Sequence, residues 1–119
     1  MELTLYTEDY IKAAHFIPDY DGKCRALHGH TWKICVWIRG DEDKREKNGI
    51  LWDFNNLKSL TGRLDHVCLN DVIEASPTAE NITLYIYNEL RKEYPHLDFR
   101  VRVYEGIAGK KSYCQTGDF

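Results

Sequence analysis

From His28 to Arg39 the chain alternates with period two. Trp32, Ile34, Val36 and Ile38 fall on one side, and Thr31, Lys33, Trp37 and Arg39 on the other. Successive side chains of an extended chain point to opposite faces, so this segment is a strand with one buried face. His28 and His30 share the buried parity. The preceding segment repeats the pattern, because Leu3, Leu5, Ile11, Ala13 and Ile17 share odd parity, as does His15. That spacing predicts a long first strand, straight or bulged. Asp19-Tyr20-Asp21-Gly22-Lys23 is a turn cluster between the two.

The pattern then changes. Gly40 to Gly49 is a charged run ending in Asn-Gly and reads as a solvated loop. Asp53 is placed to cap a helix from about Phe54 to Leu64. Ser76-Pro77-Thr78 opens a second helix with Thr78 as its cap and Glu80 in its first turn. Ile82, Tyr85, Ile86 and Leu90 recur at helical spacing, and Tyr94-Pro95 ends that helix. Phe99 to Glu105 alternates as a strand, and a Gly106–Gly109 loop leads to a last short strand near Ser112 to Gln115. The order is ββααββ with no helix inside either strand pair, which favours antiparallel hairpins. The expected fold is α+β, a four-stranded antiparallel sheet with two helices on one face, in a single domain spanning 1–119.

A formal charge of −3 with no basic stripe argues against a nucleic-acid partner. Met1-Glu2-Leu3-Thr4 lacks the basic and apolar regions of a signal peptide, and no apolar run is long enough to span a membrane. Four cysteines, at 24, 35, 68 and 114, form no CxxC pair. Their even count admits disulfides, but free thiols in a cytoplasmic protein are the expectation.

The histidines carry the chemistry. If the first two strands pair antiparallel, His15, His28 and His30 meet at one end of the sheet. Neutral imidazoles converging on an apolar face need something to take their lone pairs. Zinc does so, and three protein ligands leave a fourth position for substrate. The alternatives are ordinary hydrogen-bonded core histidines, or a closed structural site with Cys24 as fourth ligand. Gly29 places no side chain between two of the histidines, so the backbone can bend there or a substrate can approach.

Cys24 lies between Lys23 and Arg25, a setting that lowers a thiol pKa and suits a general base; the alternative is an inert cysteine. In Asp65-His66 a carboxylate can orient an imidazole for proton transfer, or the two can simply end a helix. Glu105 extends the apolar face of Phe99, Val101 and Val103. A carboxylate there calls for a partner, such as a ligand with a planar guanidine-like edge, unless the strand end is already in water. His96 reads as an exposed turn residue.

Taken together these residues form an ordered series. It comprises Ala13-Ala14-His15, Cys24-x-x-x-His28-Gly29-His30, Asp53-Phe54 with Leu57-Lys58, Leu64-Asp65-His66, Leu69-Asn70, Pro77-Thr78-x-Glu80-Asn81 and Val103-Tyr104-Glu105. The series resembles the 6-pyruvoyltetrahydropterin and 6-carboxytetrahydropterin synthase family over nearly the whole chain. The resemblance implies a tunnelling fold, in which subunits join their sheets into a barrel, and a homohexamer of two trimers with sites at subunit interfaces. It implies zinc on His15, His28 and His30, Cys24 as proton acceptor, Asp65 and His66 as an acid–base dyad, and Glu105 as anchor of the pterin ring.

The three-residue gap between Cys24 and His28 resembles the bacterial carboxy-forming branch. That branch converts 7,8-dihydroneopterin triphosphate to 6-carboxy-5,6,7,8-tetrahydropterin, acetaldehyde and triphosphate, on the route to queuosine and other 7-deazapurines. The alternatives are a pyruvoyl-forming synthase and a non-catalytic zinc-stabilised binding module. The chain departs from the family pattern at Ile11, near a usual aromatic, at Gly106, where threonine is common, and in the tail after Gly109.

Overall fold

Alternation this regular builds long ladders. In the computed structural model, which describes residues 1–119, strand β1 spans Glu2–His15 and strand β2 spans His28–Asp41. They pair antiparallel from Glu2↔Asp41 to His15↔His28 without a break, so β1 is straight and carries no bulge. Ile17 lies beyond its end. Helix α1 (Asn55–Thr61) and helix α2 (Ala79–Glu93) follow, then strands β3 (Asp98–Glu105) and β4 (Ser112–Gly117). The sheet order is β1-β2-β3-β4, every pair antiparallel. This is the expected α+β architecture. No helix is long and apolar enough to cross a membrane.

The core lies between one face of the sheet and the helices. Trp32, Ile34, Val36, Ile38, Phe99, Val101 and Val103 meet Leu57 and Leu60 of α1 and Ile82, Ile86 and Leu90 of α2, all buried. Full burial of each large aliphatic or aromatic side chain contributes roughly 1.5–3 kcal/mol. On the opposite face, Tyr6 packs at a tilt against Trp37 with ring centroids 4.9 Å apart, and the Arg102 guanidinium lies 4.3 Å from the Tyr113 ring.

Helix α1 is shorter than its periodicity suggests. The Thr61 hydroxyl contacts the Leu57 carbonyl and the Asp9 carboxylate of β1, at 3.1 and 2.6 Å, and tight turns then carry the chain to buried Leu64. The residue that flanks α1 is Phe54, one later than the expected cap, and the Asp53 carboxylate just before it accepts from the Asn55 N–H at 2.9 Å. Thr78 Oγ1 accepts from the Asn81 N–H at 3.1 Å and caps α2. All four cysteines are free thiols.

Two connections define the end of the sheet at which β1 stops and β2 begins. Asn70 clamps the chain leaving β1, accepting from the Phe16 N–H and donating to the Phe16 carbonyl, each at 3.0 Å. The Asp65–Cys68 segment runs along the outer edge of β1. There the His66 N–H donates to the Lys12 carbonyl at 2.6 Å, and the Ala14 N–H donates to the Val67 carbonyl at 3.0 Å.

Candidate active site

The last rung of the β1–β2 ladder pairs His15 with His28, and Ala13 faces His30 across the same ladder. All three imidazoles converge, as parity predicts. Their ligand atoms and a Glu105 carboxylate oxygen lie within 4.8 Å of one another. Trp32 forms the floor beneath His15 and His30, with ring centroids 4.9 and 5.1 Å away, and its indole N–H donates to the Ala13 carbonyl at 3.1 Å. His15 is 1% exposed.

Two carbonyls settle which imidazole nitrogens carry hydrogen. His15 Nδ1 lies 2.8 Å from the Pro77 carbonyl, and His28 Nδ1 lies 2.7 Å from the Ala26 carbonyl. A carbonyl can only accept, so both Nδ1 atoms carry hydrogen, and each ring turns its Nε2 toward the other. Those Nε2 atoms are 3.1 Å apart. Two facing lone pairs that close repel unless a proton or a metal ion lies between them. Two nitrogens on one tetrahedral zinc, each at about 2.0–2.1 Å, would stand about 3.3 Å apart, so the donor set fits such an ion. Carbonyls on the far ring nitrogen are also the usual means of orienting a metal-bound imidazole. Burial holds the His30 pKa below the usual imidazole range; Glu105 opposes this, while His15 and His28 add to it.

Glu105 sits opposite Trp32, one diagonal step from His30. Its Oε1 is 3.2 Å from His30 Nε2. That nitrogen is nonetheless buried with no aligned hydrogen-bond partner. The two groups are close but not directed at each other. The inward parity of Glu105 was legible in the sequence; its neighbour was not.

The Asp65 and His66 side chains are in contact. Asp65 Oδ2 lies 2.9 Å from His66 Nδ1, and Asp65 Oδ1 accepts from the Lys12 N–H at 2.8 Å. The Lys12 N–H, and after it His66, hold the Asp65 carboxyl below the usual carboxylate range. His66 adopts φ 58°, an uncommon backbone state for a non-glycine residue, and its side chain is 75% exposed. It borders an open groove of about 680 Å³ together with Lys12, Gly29, His30 and Cys68. A Cβ on Gly29 would meet only the Ala13 carbonyl, at 3.8 Å, so the fold does not demand glycine there.

Cys24 lies in a single 3-10 turn, Lys23–Arg25, half-buried, and is not among the clustered ligand atoms. His96 is exposed, as expected. Gly106 adopts φ 89°, a left-handed state that favours glycine, which accounts for its departure from threonine. Sequence reasoning missed Pro77 and Ala26, because a backbone carbonyl that orients a histidine leaves no mark in residue type.

Comparison with known proteins agrees with this picture. The fold matches the structure of Caenorhabditis elegans 6-pyruvoyl tetrahydropterin synthase with a TM-score of 0.72 at 22% identity, covering 98% of this chain and 96% of that one. A Synechocystis sp. protein named 6-carboxy-5,6,7,8-tetrahydropterin synthase is 36% identical over 96 residues, 74% of each chain. A Bacillus subtilis protein of the same name is 37% identical over 91 residues, 69% of this chain and 61% of that one. The 6-pyruvoyl tetrahydropterin synthase family model matches residues 4–115, and the chain belongs to that family.

Proposed function

We propose that the chain is a zinc-dependent lyase that converts 7,8-dihydroneopterin triphosphate and water to 6-carboxy-5,6,7,8-tetrahydropterin, acetaldehyde and triphosphate, in queuosine and 7-deazapurine biosynthesis. The observation that carries the metal is the cluster of three imidazoles in which the His15 and His28 Nε2 atoms face each other 3.1 Å apart, each ring pinned through its other nitrogen. The carboxy-forming product rests on the Synechocystis and Bacillus relatives, whose names state that activity.

In this reading His15, His28 and His30 hold the ion. A divalent metal there supplies Lewis-acid polarisation to hydroxyls of the substrate side chain. Glu105 accepts hydrogen bonds from the 2-amino and N3 edge of the pterin, a bidentate match for a carboxylate. Asp65 keeps the proton of His66 on Nδ1, leaving Nε2 free to take or return a proton. Cys24 is the second proton carrier.

Cys24 stands outside the clustered ligand atoms and the dyad faces an open groove. Both facts support sites completed by a neighbouring subunit. β4 pairs on one side within this sheet, and the outer edge of β1 is bonded only beside the Asp65–Cys68 segment, leaving edges for joining sheets into a barrel. A homohexamer of two trimers is the assembly proposed. The Caenorhabditis structure and the family description favour a second reading, a pyruvoyl-forming synthase that eliminates triphosphate and keeps the three-carbon side chain. Incubating the zinc-loaded protein with dihydroneopterin triphosphate separates the two. Acetaldehyde release supports the lyase, and a pyruvoyl product without acetaldehyde overturns it. No turnover by either route would favour a binding module.

A further inference from the structure

We infer that Glu105 is an exchangeable metal ligand, which closes the metal site when no pterin is bound and leaves it to pair with the pterin edge when one arrives. The inference rests on the proposed three-histidine metal site and adds a state to it.

The geometry of the His30–Glu105 contact is the starting point. A neutral imidazole and a carboxylate 3.2 Å apart would normally share a hydrogen bond, yet His30 Nε2 is buried with none. The Glu105 oxygen instead belongs to one tight cluster with all three histidine nitrogens. Three neutral nitrogens and one carboxylate oxygen are a complete tetrahedral donor set for zinc. Such a set would leave no position for a substrate hydroxyl.

The other half of the inference is the freedom of Glu105 to leave. His15 and His28 are locked by carbonyls on their far nitrogens, whereas the Glu105 carboxylate has no hydrogen-bond partner of its own beyond its contact with His30. Its side chain is 31% exposed, so one flank is open to a ligand. It is the last residue of β3, followed directly by Gly106 at φ 89° with nothing within 4 Å of where a Cβ would stand. Held at a strand end beside open space, it can swing without disturbing the core.

A carboxylate cannot serve the metal and a bidentate guanidine-like edge at once. Arrival of the ring therefore draws the carboxylate off, and the position it vacates is the one the substrate hydroxyls require. No bond in the substrate changes in this step; one ligand departs as a carboxylate and its charge is retained. The site is thus opened by the molecule it acts on. Linkage adds a constraint: a pterin that competes for Glu105 weakens metal binding by the same factor by which the metal weakens pterin binding.

The test uses cobalt(II) as a spectroscopic substitute for zinc and pterin itself, which has the guanidine-like edge but no hydroxylated side chain. Glu105→Gln should raise the cobalt Kd at least about tenfold and alter the visible absorption band. Adding pterin to the cobalt-loaded wild type should shift its band toward that of Glu105→Gln and raise the cobalt Kd. Glu105→Ala should behave like Glu105→Gln, and thermal unfolding of both metal-free variants verifies that they fold. Equal Kd values and identical bands for wild type and both variants would overturn the inference and leave the three-histidine site intact. A pterin that binds wild type without changing the band would overturn the exchange. A wild type that takes up no cobalt would remove the metal site itself, and this inference with it.

Discussion

Replacing His15 with alanine should abolish the stabilisation that zinc confers on this fold. A ligand that binds only the folded state stabilises it by about 2.7 kcal/mol when present at 100 times its Kd. Unfolding entropy near 60 °C is about 2.1 cal/mol/K per residue, or roughly 0.25 kcal/mol/K for 119 residues. Zinc should therefore raise the wild-type Tm by about 11 °C. His15 supplies one of two nitrogens that stand 3.1 Å apart, and it is buried, so no solvent-borne group can readily replace it. His15→Ala should also destabilise the metal-free protein, by about 1–3 kcal/mol for leaving the Pro77 carbonyl without its donor, and more for the cavity. That cost is common to both metal states and drops out of the comparison. The assay is calorimetric unfolding of wild type, His15→Ala and His96→Ala, each with chelator and with zinc. His96 is exposed, and its variant should keep the full shift. A His15→Ala protein that still gained about 11 °C from zinc, or a wild type that gained nothing, would refute the reasoning.

Cys24→Ala should eliminate turnover while zinc stays near one ion per chain by elemental analysis; loss of the metal would make Cys24 a ligand instead. Asp65→Asn should lower kcat by about 10²–10⁴-fold, because His66 loses the carboxylate that fixes its tautomer; unchanged kcat would remove the dyad from the mechanism. Asp65 titrates lower folded than unfolded, so its contribution to stability is present above the unfolded carboxylate pKa and is lost as pH falls through the depressed value. Wild type should accordingly lose more stability than Asp65→Asn over that acidic window, as read by urea unfolding at a series of pH values. Thr78→Ala should cost about 1 kcal/mol, a Tm drop of about 4 °C, through loss of the α2 cap.

What could be read in the residues divides along physical lines. Parity is a local property, and it alone puts His15, His28, His30 and Glu105 on the apolar face of the sheet. Thr78 advertises a cap by its chemistry, and its bond to the Asn81 N–H is formed. The contact between Glu105 and His30 depends on the β2–β3 register, which sets Glu105 opposite Trp32, and register is a property of the whole sheet. At the end of α1 the Thr61 hydroxyl reaches the Asp9 carboxylate, a residue far away in sequence. Nor does any local pattern announce the left-handed backbone of His66, which depends on its N–H bonding the edge of β1.

The unbroken ladder from Glu2↔Asp41 to His15↔His28 has a consequence for tolerance to mutation. A single-residue deletion anywhere inside β1 would turn every later side chain of that strand to the other surface, His15 included. The sheet is therefore a ruler whose last mark is a proposed metal ligand. A hairpin that zipped up one notch out of step would announce its error as an inability to take up the ion.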